Sequence, residues 1–265
     1  MIPARRRRAL ACLLFLALSG ASALAAQQTL TVFAAASLTE GFTTLARRFE
    51  ATHPGVTVRL NLGGSQAIVT QLAQGARADV LATADERWMR RAEAQGLLAA
   101  DPVIFARNAL VVVLPRTNPG QVEQLQDLAR PGLKLILAGA QVPVGAYSRE
   151  ALRRLGGAPA FPGAYERRVL QNLVSEEENV KAVVAKVQLG EADAGIAYRT
   201  DVTDTIRAQL RLLEIPEAYN PVADYPIAPV KDGQVALARE FIALVRSTEG
   251  RQVLGARGFL PPVAR

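Results

Sequence analysis

Two short segments place a serine where a strand or a glycine turn hands over to a helical pattern: Thr31-Val32-Phe33-Ala34-Ala35-Ala36-Ser37-Leu38 and Leu62-Gly63-Gly64-Ser65-Gln66-Ala67. The first amides of a helix have no intrahelical partner, and the aligned peptide dipoles add partial positive charge there. A serine at that point adds a hydroxyl to the free amides. Taken singly, each is an ordinary helix cap. Two in one chain, with no catalytic partner near either, point to the binding of an oxyanion.

Three other spots are candidates to join them. Val142-Pro143-Val144-Gly145 precedes a helical pattern, so the amides of Val144 and Gly145 are donors at a helix start; Pro143 has none to give. In Ser175-Glu176-Glu177-Glu178-Asn179-Val180 two readings stand open. Ser175 with Glu178 matches a capping box, which uses the Val180 amide inside the helix. Asn179 as N-cap instead makes Val180 the first helical residue and leaves its amide free. Tyr198 ends the apolar run Ala194-Gly195-Ile196-Ala197, where its hydroxyl either reaches into a cleft or packs at a strand end. The Glu176 to Glu178 run reads as solvent-facing, because carboxylates aimed at a dianion repel it.

Enzyme signatures are missing. The sequence has no metal-binding His/Glu helix motif, no Gly-x-Ser-x-Gly elbow, no phosphate loop and no Gly-x-Gly-x-x-Gly. The single histidine, His53, sits in the helix breaker His53-Pro54-Gly55 and is expected to be exposed and to take no part in catalysis. A serine-dependent hydrolase would need a base within hydrogen-bond reach of Ser37 or Ser65, and no other histidine is present to supply it.

The elements that position these residues alternate between strand-like runs (29–35, 56–60, 80–82) and helix-like ones (38–51, 66–74, 86–95), which is α/β patterning with a largely parallel sheet. Leu38, Phe42, Leu45, Ala46 and Phe49 share one helical face. The apolar run 109–115 is expected to cross into a second α/β set: strand 134–138, helices 146–155 and 180–189, strand 192–197. A return crossing follows at 225–230, then terminal helices at 234–245 and 250–255. The expected architecture is a hinged clamshell of two α/β lobes, with lobe 1 at 26–107 plus 222–265 and lobe 2 at 108–221. Its site lies in the cleft at the carboxyl ends of the strands.

Residues 1–25 read as a cleaved signal peptide. Arg5 to Arg8 form the basic region, Ala9 to Leu18 the apolar core, and Ala23-Leu24-Ala25 the small-residue cleavage site. The apolar core is shorter than the roughly 20 residues of a membrane span. Cys12, the only cysteine, lies inside this segment rather than after it, which argues against lipid attachment and leaves a mature chain with no thiol. Setting aside the four signal arginines leaves 27 Lys and Arg against 24 Asp and Glu, so the formal charge of +7 falls to about +3. The remaining arginines are scattered and not interleaved with aromatics, so no nucleic-acid partner is expected.

Several segments together carry a family resemblance: Val32 to Leu38, Gly64-Ser65, Ala78 to Asp85 with Trp88-Met89, Leu110 to Val113, Val142 to Tyr147, Glu178-Asn179-Val180 and Gly195 to Tyr198. Over nearly the whole mature chain the sequence resembles the periplasmic molybdate-binding proteins of bacterial ABC importers. The resemblance implies a type II periplasmic-binding-protein clamshell that holds molybdate or tungstate through Ser37, Ser65, the amides of Val144 and Val180, and the Tyr198 hydroxyl. It tips the ambiguous helix start towards Asn179 as cap. Val144 stands where family members often carry alanine, and Gly64 where some carry serine. The resemblance also implies an inner-membrane ABC permease as partner, a monomer in the periplasm, no cofactor and no chemical step. A receptor for another tetrahedral oxyanion such as sulfate is the alternative within the same class. Porphobilinogen deaminase shares the two-lobed fold, but it tethers its cofactor through a cysteine that this mature chain lacks.

Overall fold

The computed structural model describes residues 27–263. The expected signal peptide, with Cys12, lies outside the described residues. The chain begins with β1 (Gln28–Ala35), a 3-10 turn (Ala36–Leu38), α1 (Thr39–Thr52), β2 (Val56–Gly63), α2 (Ser65–Ala73), β3 (Val80–Ala82), α3 (Glu86–Ala94) and β4 (Val103–Asn108). It continues through β5 (Leu110–Pro115), β6 (Leu135–Ala138), α4 (Pro143–Gly156), α5 (Tyr165–Leu170), β7 (Leu173–Glu177), α6 (Val180–Gln188), β8 (Ala194–Tyr198), α7 (Asp204–Arg207) and β9 (Leu210–Glu214). It closes with β10 (Ala223–Pro229), α8 (Val235–Arg246) and α9 (Thr248–Gly255).

These strands make two five-stranded sheets, ordered β2-β1-β3-β10-β4 and β7-β6-β8-β5-β9. Each sheet is mixed rather than largely parallel. The pairs β1/β2, β1/β3, β6/β7 and β6/β8 are parallel, while β10 and β5 each run antiparallel to both neighbours. The antiparallel strands are the ones that directly follow a passage between sheets, so no helical crossover sets their direction. Of residues 225–230, expected as a crossing, 225–229 instead belong to β10, which fills the gap between β3 and β4. Pro226 fits in this inner strand because the register slips between Tyr225 and Pro226, and Pro229 is its last residue.

In the first sheet β1 is buried on both faces. Leu30, Val32 and Ala34 join the core that also holds α1, whereas Phe33 points to a smaller cluster with Ile68, Leu72, Trp88 and Met89 of α2 and α3. As the spacing predicts, Phe42, Leu45, Ala46 and Phe49 form the buried face of α1. Phe42 and Phe49 meet Phe241 of α8 edge-on, with ring centroids 5.9 and 5.4 Å apart. The helix stops where proline and glycine follow, with Gly55 at φ 86°. His53 is not free in solvent as expected. Its ring stacks on Phe49 at 3.8 Å and its Nε2 lies 2.9 Å from Glu240, at the far end of α1 from Ser37.

The chain leaves the first sheet through the single residue Ala109 and returns between β9 and β10. Asn220 of the return passage fastens to the outgoing one: its Oδ1 accepts from the Leu110 amide at 3.0 Å and its Nδ2 donates to the Leu110 carbonyl at 2.8 Å. One side chain thereby satisfies both backbone polar groups of buried Leu110 and ties the two passages side by side.

Candidate functional site

All five residues proposed from the sequence line one small cavity between the two sheets. Each arrives on a different element. Ser37 sits in the 3-10 turn after β1, Ser65 is the first residue of α2, Val144 is the second of α4, Val180 is the first of α6, and Tyr198 ends β8.

The local sequence explains the placement. Gly64 precedes α2 without a side-chain cap, so Ser65 starts the helix with its amide in the unpaired first turn. A Cβ on Gly64 would lie 2.5 Å from the Glu178 carbonyl oxygen and about as close to the Gln66 side chain; glycine alone lets the second lobe come this near. Val142 precedes Pro143 at the first helical position, which leaves the next two amides, Val144 and Gly145, in the unpaired first turn. At α6 the two readings separate. Asn179 is the N-cap, its side chain accepting from the Ala182 amide at 3.0 Å, while Ser175 lies in β7. The Val180 amide is left in the unpaired first turn.

The hydroxyls are aimed by what they already accept. Ser65 Oγ takes the Ala84 amide at 3.0 Å, which leaves its own proton to donate elsewhere. Ser37 Oγ lies 2.9 Å from Tyr225 Oη. Tyr198 is 1 % exposed, yet its hydroxyl has no hydrogen-bond partner. Burial pushes the Tyr198 and Tyr225 hydroxyls well above the ordinary tyrosine range, so both remain protonated donors at neutral pH.

Among the described residues, no charged side chain lines the cavity. Positive potential comes from the N-terminal turns of α2, α4 and α6, which meet there. The glutamate run stays out of it, although not all of it faces solvent as expected. Glu176 is exposed and pairs with Arg149, whereas Glu177 is buried against Lys186 at 2.7 Å and Ser175 at 2.6 Å. Glu178 contributes only its carbonyl, which accepts from Gln66 Nε2 at 2.7 Å.

That last bond crosses between the lobes, and others do the same. Trp88 Nε1 and Arg87 both donate to the Gln141 carbonyl at 2.8 Å, and Lys181 Nζ reaches Glu40 at 2.9 Å. Lys181 also lies 3.3 Å from Asp201, a fully buried carboxylate whose pKa is raised by burial to about 6 despite that neighbour.

Reasoning from sequence missed Ala84, Gln66, Asn108 and Tyr225. Ala84 works through its amide, which carries no residue-type signal. Tyr225 lay in a segment taken for a connection, and its partner Ser37 is 188 residues away.

A small donor-lined cavity closed between two sheets and joined by two passages defines a solute-binding clamshell of the type II periplasmic-binding-protein architecture. The family model of bacterial extracellular solute-binding proteins matches residues 30–260, and the chain belongs to that family. A relative from Mycobacterium tuberculosis H37Rv, the molybdate-binding protein ModA, is 39 % identical over 236 residues, covering 89 % of this chain and 85 % of the relative. Among solved structures, the periplasmic molybdate-binding protein of Azotobacter vinelandii superposes with a TM-score of 0.75 at 21 % identity, over 88 % of this chain and all of that one. The sulfate-binding protein SubI of Mycobacterium tuberculosis H37Rv does so with a TM-score of 0.79 at 18 % identity, over 88 % and 87 % of the two chains. At these identities the two structures speak for the fold.

Proposed function

We propose that this protein captures molybdate, and tungstate with it, and hands the anion to an inner-membrane ABC import permease without any chemical step. The ligands are the hydroxyls and amides of Ser37 and Ser65, the amides of Val144 and Val180, and the Tyr198 hydroxyl. Lobe 1 comprises 26–107 with 222–265 and lobe 2 comprises 108–221. The protein works as a monomer in the periplasm after loss of residues 1–25.

The observation that carries this reading is the orphaned Tyr198 hydroxyl facing a cavity that offers donors only. A buried hydroxyl without a partner costs about 1–3 kcal/mol, which a bound oxygen atom relieves. Molybdate and tungstate are fully deprotonated at neutral pH, so every oxygen accepts and none donates. Hydrogenphosphate brings a proton that needs an acceptor, and no carboxylate lines the cavity. Neutral donors to a charged partner contribute about 1.5–3 kcal/mol each. A handful of them, less the costs of ordering and closure, supports sub-micromolar affinity, about −8 kcal/mol or better. The identity to molybdate-binding relatives favours molybdate over sulfate. A hydrolase reading fails for want of a base, since His53 is held by Phe49 and Glu240 away from both serines.

Isothermal titration of the purified protein against molybdate, tungstate, sulfate and phosphate tests the proposal. Tight one-to-one binding of the first two with weak sulfate is expected. Tight sulfate or phosphate binding with no response to molybdate overturns it.

A further inference from the structure

We infer that Tyr225 and Asn108, neither of which lines the cavity, set the proton direction of Ser37 and so make the site selective for fully deprotonated oxyanions. The inference rests on the receptor reading above and deepens it.

The argument follows the protons. Asn108 is fully buried at the end of β4, and its Oδ1 accepts from the Ala109 amide at 3.0 Å, which identifies its other terminal atom as the donor nitrogen. That Nδ2 donates to Thr200 Oγ1 at 2.8 Å and to Tyr225 Oη at 3.3 Å. Tyr225 is fully buried, so its own proton must find an acceptor within the protein. Ser37 Oγ, 2.9 Å away, is the acceptor the proposal assigns to it. Ser37 then spends a lone pair on Tyr225 and its remaining proton is turned away from Tyr225, towards the cavity that Ser37 lines.

Without the relay the Ser37 hydroxyl is free to rotate and to accept as readily as it donates. An anion carrying a proton would then find an acceptor. With the relay, Ser37 and Ser65 are both committed as donors, Ser65 by the Ala84 amide and Ser37 by Tyr225. Asn108 ends β4 of the first sheet, and its bond to Thr200 reaches the turn after β8 of the second, so the relay is anchored on both sheets. Tyr225 and Asn108 are thus positioning residues that act through Ser37.

The test compares molybdate with hydrogenphosphate, at a pH where both are dianions, in wild type, Tyr225→Phe, Ser37→Ala and the double variant, using titration with competition for weak binders. Tyr225→Phe should weaken molybdate about tenfold, weaken hydrogenphosphate less, and add nothing in the Ser37→Ala background. Equal losses for the two anions, or a full additional loss in the double variant, overturn the relay while leaving the receptor reading intact. Wild type that prefers hydrogenphosphate to molybdate overturns both. If thermal unfolding shows that Tyr225→Phe does not fold, Asn108→Asp carries the test. It replaces the donor by an acceptor and draws the Tyr225 proton away from Ser37, and its added charge acts on both dianions alike. A selective loss of molybdate is expected, and a parallel loss of both anions overturns the relay.

Discussion

Gln66 of the first lobe donates to the main-chain carbonyl of Glu178 in the second at 2.7 Å, directly above Gly64 and beside the two helix starts that carry Ser65 and Val180. The bond is a clasp between lobes made next to two of the proposed ligand positions. Gln66→Ala should therefore speed anion release several-fold with little change in association rate, because most changes in related complexes appear in the dissociation rate. Stopped-flow measurement of both rates checks this; a slower association with unchanged release would show that Gln66 does not clasp the closed state.

Gly64 controls whether that clasp can form. Gly64→Ala places a methyl carbon 2.5 Å from the Glu178 carbonyl oxygen, which one lobe can escape only by moving back from the other. Anion affinity is expected to fall at least tenfold with the unfolding temperature of the anion-free protein nearly unchanged. Retained affinity would mean that the lobes bind the anion without approaching this closely.

Ser37→Ala and Ser65→Ala should each weaken binding by about 1–3 kcal/mol while the fold persists. Titration settles the matter, and wild-type affinity in both variants removes these serines from the site.

Tyr198→Phe separates a ligand from a packing residue. Its hydroxyl lacks a partner, so removing it should leave the unliganded protein as stable as before or more so, while the rise in unfolding temperature on adding molybdate shrinks. Should Tyr198→Phe instead lower the unliganded melting temperature and leave affinity untouched, the tyrosine belongs to the core.

Asp201 supplies a pH dependence. Its folded-state pKa is raised from 3.8 to about 6, so its ionisation disfavours the folded state. Stability on this account is fullest below the unfolded pKa and is lost as pH rises from about 4 to 6. Replacing it with Asn removes a penalty of up to about 3 kcal/mol above pH 6 and changes little below pH 4. Denaturant unfolding at both ends of that window checks the sign. A difference between Asp201→Asn and wild type that does not vary with pH would show that the carboxylate is already neutral or fully compensated by Lys181.

The helix starts were legible in the sequence because their chemistry is local. Gly64 before Ser65, Pro143 before Val144, and Asn179 before Val180 each announce an unpaired first turn within a few residues. The Ser175 reading failed because a capping box and a polar strand edge share the same residue types, and only the pairing of β7 with β6 distinguishes them. β4 went unseen because it ends in the polar Arg107-Asn108 and abuts the more apolar run 109–115, which alone reads as a strand. Tyr225 was invisible as a contributor to the site for a physical reason: a hydroxyl that aims another hydroxyl leaves no spacing pattern when its partner lies in a distant part of the chain.

The insertion of β10 between β3 and β4 dictates an order of assembly. All strands of the second sheet, β5 to β9, are contiguous in sequence and can pair before the end of the chain is made, whereas β3 and β4 wait with open edges for β10. β10 also brings Tyr225 beneath Ser37, and α8 brings Phe241 against α1. A chain cut between Tyr198 and Ala223 thus retains all five candidate ligand residues and still lacks the framework that holds them. Completion of the C-terminus acts as a checkpoint: the protein becomes competent to capture its anion only after its last segment has been delivered.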